Sequence, residues 1–252
     1  KNGSKEITLL GQNVNAYDFN GLKLSNLILE LEKVSGLKRI RYMTSHPKDM
    51  TDDLLEVYKT SKKIMPLVHL PVQSGSDRVL KLMNRKHTIK TYLKTFNKLK
   101  KINPEVHFSS DFIIAYPGET ENDFRDTLKL IEKVKFINSF SFIFSPRPGT
   151  AASSLPIMDK KDSLERLGIV QEILSNNQTK MNKSLENTIQ NVLVENRTED
   201  KTKLFGRSEY MTPVLFNGKD DLIGTIVKVK IYNSNRNTLF GDAAEQSKQK
   251  VA

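Results

Sequence analysis

Five times between residues 1 and 182 the sequence repeats one grammar: a short apolar strand, a polar loop marked by Gly or Pro, then an amphipathic helix. The plainest copy is Phe108 to Thr120, FSSDFIIAYPGET. Its strand is apolar on both faces towards its C-terminal end, as in a sheet covered on both sides. Pro117-Gly118 ends it. Thr120 with Asp123 forms a capping-box pattern, and Phe124, Thr127, Leu128, Ile131 and Val134 follow at helical spacing. The other strands are expected at Ile7–Leu10, Arg39–Met43, Leu67–Val72 and Ser139–Ser145. Helices are expected after Leu24, from Thr51 or Asp52, from about Thr88, and near Asp162 to Asn182. Strands alternating with helices predict an α/β domain with a parallel sheet and crossover helices. In barrel-like versions the loops after the strands gather on one face. All five loops carry side chains able to hold a ligand: Gln12 and Asn13, Ser45 and His46, Gln73 and Ser74, Glu119, and Arg147.

After Asn182 the grammar changes. Thr188–Arg197, Leu204–Phe216 and Leu222–Tyr232 read as strands, with a turn at Asn217-Gly218 and no helix between them. Residues 183–244 are therefore expected to form a small all-β barrel. The polar residues 245–252 are expected to be a disordered tail.

Composition narrows the partners. The net charge is +11, which favours a polyanion such as nucleic acid or reflects a Lys-rich proteome. Arg78 to Lys101 holds nine basic residues and no acidic one. Within it Arg78, Lys81 and Arg85 begin a series at helical spacings, suited to tracking phosphates or to a solvated face. In the β half, Arg207, Lys228, Lys230 and Arg236 are interleaved with Phe205, Tyr210 and Tyr232, a mixture that small barrels use on single-stranded nucleic acid. There are no cysteines, so no disulfide, thiolate zinc site or cysteine-ligated cluster is made by these residues. None of the four histidines has a partner at metal-ligand spacing. No P-loop or dinucleotide fingerprint occurs. No apolar run reaches the roughly 20 residues of a membrane span, and the first residues lack a signal-peptide profile. The expected compartment is the cytoplasm.

Two loop residues suit small-ligand chemistry. The carboxylate of Glu119, at a helix start, suits an amine or hydroxyl rather than a phosphate, or simply favours the helix dipole. Arg147, between two prolines, suits a two-pronged clamp on a carboxylate, or is a surface arginine in a stiff turn.

GQNVNAY, TSHP, HLPVQSGSDRVLKLMNR, SSDFIIAYPGET and SPRPGTAA, in this order and spacing, resemble the methylthiotransferases of the radical S-adenosylmethionine class. The first three loops favour the branch that modifies tRNA over the one that modifies a ribosomal protein. The resemblance implies a partial (βα) radical-SAM-type barrel, with five of six units present, followed by a TRAM-like RNA-binding barrel. It implies transfer of a methylthio group to C2 of N6-isopentenyladenosine beside the anticodon, with S-adenosylmethionine as methyl donor and radical source. Gln12, Ser45, Gln73, Ser74, Asp111, Glu119 and Arg147 match positions expected on the S-adenosylmethionine side. A tRNA and a sulfur donor system are the implied partners, and the full-length protein is expected to be a monomer. A non-catalytic RNA-binding protein is the alternative from another class.

The family also carries two 4Fe–4S clusters, one on an N-terminal domain and one on a CxxxCxxC segment after the first barrel strand. The sequence has neither segment, so it is expected to be a C-terminal portion that alone ligates no cluster and performs no radical chemistry. An unpaired sheet edge at Ile7–Leu10 is expected to promote aggregation. Ala115-Tyr116 stands where the family usually has Gly-Phe, and the added methyl group is expected to matter little.

Overall fold

The computed structural model describes residues 3–244, so the expected tail at 245–252 lies outside the described residues. The chain divides into a unit of residues 6–177 and a unit built on residues 178–244. The division falls inside the last helix, a few residues before the Asn182 boundary expected from the sequence.

In the first unit β1 (Glu6–Leu9) lies parallel to β4 (Arg39–Tyr42). Between them run the two-residue strands β2 (Asp18–Phe19) and β3 (Leu22–Lys23), a hairpin, and α1 (Leu24–Glu32). Backbone bonds Ile40 N→Lys63 O (2.7 Å) and Met65 N→Ile40 O (3.0 Å) carry the sheet into the stretch leading to β5 (Leu67–His69). That strand pairs in parallel with β6 (His107–Ser109). Gln73 N→Asp111 O (3.0 Å) and Ile113 N→Gln73 O (2.9 Å) extend the pairing to β7 (Asp111–Ile114), which lies parallel to β8 (Phe140–Ile143). Five parallel passes therefore lie side by side in chain order. Parallel neighbours need long crossovers, and α1, α2 (Asp52–Thr60), the pair α3 (Asp77–Leu82) and α4 (Ile89–Ile102), and α5 (Glu121–Val134) supply them.

The period-2 rule sorts the strand residues into two faces. Ile40, Tyr42, Val68, Phe108, Phe112 and Ile114 join the apolar core with helix residues such as Ile28, Leu54, Tyr92, Leu99, Phe124 and Ile131. The alternate residues include Arg39, Arg41, His69, Ser109 and Asp111, with Leu67 and Ile113 as apolar exceptions. Arg39 and Arg41 are buried and share the Glu6 carboxylate, at 3.5 and 3.1 Å. His69 Nδ1 lies 2.8 Å from Ser109 Oγ and its Nε2 lies 3.7 Å from Asp111. One face of the sheet thus builds the core and the other carries charge and hydrogen-bonding groups.

Helix starts follow their caps. Thr88 with Thr91, and Thr120 with Asp123, close reciprocal capping boxes at α4 and α5. Thr51 precedes α2 without capping through its side chain, and Asp52 and Asp53 in the first turn supply the charge that the helix dipole favours. Outside β4, β1 has no strand partner among the described residues, and Leu10 beside it is 75% exposed.

α6 (Lys160–Ser184) leads into the second unit. Here β9 (Ile189–Arg197), β10 (Leu204–Arg207), β11 (Pro213–Asn217), β12 (Ile226–Ser234) and β13 (Leu239–Ala243) close a barrel in the order β10-β11-β13-β12-β9. Val192, Val194, Leu204, Val214, Phe216, Val229, Ile231 and Leu239 fill its interior. The single stretch expected at Leu204–Phe216 is two strands, β10 and β11, with a reversal through Tyr210 and Met211 between them. A register shift at Phe205/Gly206 bends β10 against β9, and a Cβ at Gly206 would stand 2.4 Å from the Leu193 carbonyl oxygen.

Candidate functional site

Parallel strands in chain order put their C-terminal ends on one edge. Gln12, Ser45, Gln73 and Arg147 follow β1, β4, β5 and β8 and so share that edge, while Asp111 sits inside the sheet at the start of β7. Gln12 and Arg147 are exposed; Ser45 and Gln73 are buried. Asp111 reaches the polar face beside His69.

Two of the expected residues are occupied within the chain. Ser74 Oγ is buried, accepts the Ser76 N–H at 3.2 Å and lies 3.4 Å from Thr127 Oγ1. The Glu119 side chain is 1% exposed and accepts from Arg166 Nη1 at 2.7 Å and from the Ala115 N–H at 3.2 Å. Burial raises its pKa despite Arg166. Glu119 therefore anchors the Pro-Gly loop from beneath rather than offering a free carboxylate.

Neighbouring loops are bolted together by their own polar side chains. Asn15 donates to the His46 carbonyl at 2.9 Å and accepts the His46 N–H at 2.8 Å. Asn13 donates to Asp49 at 2.7 Å, and Thr44 Oγ1 donates to the Gly11 carbonyl. The Gln73–Asp77 loop is fastened to α5: Gly75 N donates to Thr127 Oγ1 at 2.9 Å and Ser76 Oγ to Asp123 at 2.5 Å. Arg78 donates to Asp123 and to the Gly118 carbonyl. Burial alone would raise the Asp123 pKa, but the bonds from Arg78, Ser76 and Thr120 pull it far below the usual carboxylate range. Arg78, expected on an RNA-tracking face, is thus the clamp between two site loops.

Gln73 and Ala115 both have positive φ, +74° and +58°. A side chain in the left-handed region costs roughly 1 kcal/mol or more relative to glycine. The Ala115 methyl therefore matters more than its volume suggests, and the Glu119 carboxylate on its N–H holds the turn.

Of the other basic candidates in this unit, Lys81 is exposed and Arg85 half-buried. Lys98 on α4 pairs with Asp52 at 2.7 Å and Lys100 donates to the Pro104 carbonyl at 2.9 Å, while Lys90, Lys94 and Lys101 face solvent. In the barrel, Lys228, Lys230 and Tyr232 alternate on the exposed side of β12. Arg207, two strands away across β9, lies over Phe205 and pairs with Glu195 at 3.1 Å. Arg236 is exposed in the β12–β13 loop, which Asn182 grips through the Asn235 and Arg236 carbonyls at 2.8 and 2.9 Å. Lys230 lies opposite Asp242 across the ladder, so this face carries both signs.

Sequence reasoning missed Arg166, whose role depends on a contact 47 residues away. It also missed His87, which pairs ring to ring with His46. A capping-box Asp123 facing an Arg-bearing loop was the available signal for the clamp.

An in-order parallel α/β sheet with its loops fastened on one edge, followed in the chain by a closed five-stranded β-barrel, is the class of protein that the fold defines. Residues 1–131 match the Radical SAM superfamily and residues 183–244 match the TRAM domain; the chain belongs to the radical SAM superfamily. It is 62% identical over 256 aligned residues to the tRNA-2-methylthio-N(6)-dimethylallyladenosine synthase of Pelagibacter ubique (strain HTCC1062), covering 100% of this chain and 57% of that protein. It is 45% identical to the protein of the same name from Wolbachia pipientis subsp. Culex pipiens (strain wPip), covering 97% and 57%. For that of Buchnera aphidicola subsp. Baizongia pistaciae (strain Bp) the figures are 47%, 95% and 55%. The chain spans somewhat over half the length of these relatives.

Proposed function

We propose that this chain works within a tRNA methylthiotransferase that places a methylthio group on C2 of N6-isopentenyladenosine beside the anticodon. The observation that carries this is 62% identity, along the whole chain, to a synthase named for that product. The polar edge of the sheet fits S-adenosylmethionine: Asp111 and Gln73 offer acceptors to an amine or ribose hydroxyls, and exposed Arg147 offers a partner for a carboxylate. Buried Ser45 Oγ has no hydrogen-bond partner, as at an edge meant to be completed by a ligand. When bound, S-adenosylmethionine supplies the methyl group and the radical. The chain's own part is to hold that cofactor on loops fixed by Asn15, Asp123 and Glu119, and to present RNA through Lys228, Lys230, Tyr232, Arg207 and Arg236. The thiolates for two 4Fe–4S clusters would come from other residues, since this sequence has no cysteine. A sulfur donor system, a cytoplasmic setting and a monomeric full-length enzyme belong to the same reading.

The test joins this chain to the remaining N-terminal part of the Pelagibacter relative and expresses the fusion in a bacterium lacking its own synthase. Nucleosides from total tRNA are then analysed by mass spectrometry. The 2-methylthio derivative of isopentenyladenosine is expected. A soluble fusion that leaves isopentenyladenosine unchanged, or thiomethylates a ribosomal protein instead, overturns the proposal.

A further inference from the structure

The loop after β4 and the loop joining α3 to α4 bring together four donors that the cofactor reading does not use as a set. The His46 and His87 rings meet edge to face, 5.5 Å between centroids, and His87 leans in turn on Tyr92. His46 Nδ1 accepts the Lys48 N–H at 3.1 Å, which leaves Nε2 as the protonated, donating nitrogen. His87 is 8% exposed, and neither ring nitrogen closes a hydrogen bond of good geometry. The Oγ of Ser45, 6% exposed and next to His46 in the chain, is also without a partner. Arg85, two residues before His87, is half-buried and near enough to act on both imidazoles. Buried polar atoms are nearly always paired, so Ser45 Oγ and the His87 nitrogen that does not face the Val72 carbonyl need an explanation. The set is rich in donors and short of acceptors, which suits an oxygen-rich anion.

We propose that His46, His87, Ser45 and Arg85 form a binding site for a phosphate group. The site shares Ser45 with the proposed cofactor edge, and its test reads His46 and His87, which that edge does not use; phosphate chemistry is common to an RNA backbone and to free phosphate.

The electrostatics agree. Burial first, then Arg85, lowers the pKa of His46; burial, His46 and Arg85 push that of His87 down to about 4. Lys48 and Asp49 act on His46 with opposite signs, Asp77 and the Val72 carbonyl favour protonated His87, and Asp111 favours charged Arg85. Asp49 and Asp77 are already engaged, by Asn13 and by the Ile89 N–H. An added anion favours the protonated imidazoles, so binding should tighten as pH falls below the ordinary histidine value of 6.5 towards the lowered value of about 4 at His87.

The experiment follows the histidine ring protons of this chain by NMR while inorganic phosphate is added. A second arm adds a short single-stranded RNA without terminal phosphate. His46 and His87 signals should move with phosphate, more strongly at lower pH, while His107 on β6 stays fixed. If the RNA moves the same signals, the source is a backbone phosphodiester; if only phosphate does, the source is free phosphate. Arg85→Gln should weaken the response at least tenfold, and Ser45→Ala, a smaller change, several-fold. His46 and His87 signals unmoved in both arms, or moving equally in a folded Arg85→Gln protein, overturn the proposal.

Discussion

Replacing Gly75 by alanine is expected to destabilise the first unit by roughly 3 kcal/mol or more. A Cβ there would stand 2.4 Å from both the Asp126 carbonyl oxygen and the Thr127 Cα. Both are helix backbone, so no rotamer change can relieve the overlap. Either the Gln73–Asp77 loop lifts away or α5 shifts. The first outcome breaks Gly75 N→Thr127 Oγ1 and Ser76→Asp123. The second displaces Thr120 and Asp123, and with them the Pro-Gly loop. Because both movements reach the same clamp, stability and ligand binding should fall together. Chemical denaturation of the two proteins measures this. An unchanged midpoint would mean that the close approach is not a feature of the folded chain.

Removing the guanidinium of Arg166 is the second large effect. Arg166→Ala leaves Glu119 buried with the Ala115 N–H as its remaining partner, and also ends the contacts with Glu121 at 3.2 Å and over Phe124 at 4.9 Å. Breaking a buried pair from one side costs about 3 kcal/mol. The penalty should depend on pH. The Glu119 pKa is already raised by burial, and without Arg166 it must rise further. A carboxyl with a raised folded pKa binds a proton more tightly when folded, so its destabilising charge disappears as pH falls through that pKa. The gap between variant and parent should therefore be widest at neutral pH and narrow towards the ordinary value of 4.5. Urea titrations at both ends of that window check it; a gap that stays constant, or widens in acid, would show that Glu119 does not carry the effect.

What the sequence disclosed follows from which interactions are local. The five strand–loop–helix units, the helix start near Thr88 and the capping box at Thr120 depend on patterns a few residues long, and the structure has them. The all-β character after Asn182 was legible from alternation, but β13 (Leu239–Ala243) was not. Its apolar residues Leu239 and Phe240 gain meaning only through parallel pairing with β11. The fates of Glu119 and Arg78 were hidden because their partners, Arg166 and Asp123, lie 47 and 45 residues away. Ala115 was judged by its volume, whereas its backbone angle governs its cost.

The central claim is that the C-terminal ends of the parallel strands form a single face for S-adenosylmethionine. Two-dimensional amide NMR of this chain during titration with S-adenosylmethionine tests it most directly. Perturbed signals should cluster at Gln12, Ser45, Gln73, Asp111 and Arg147 and leave β9 to β13 unchanged. Shifts confined to β9–β13, or none at saturating cofactor, would contradict it.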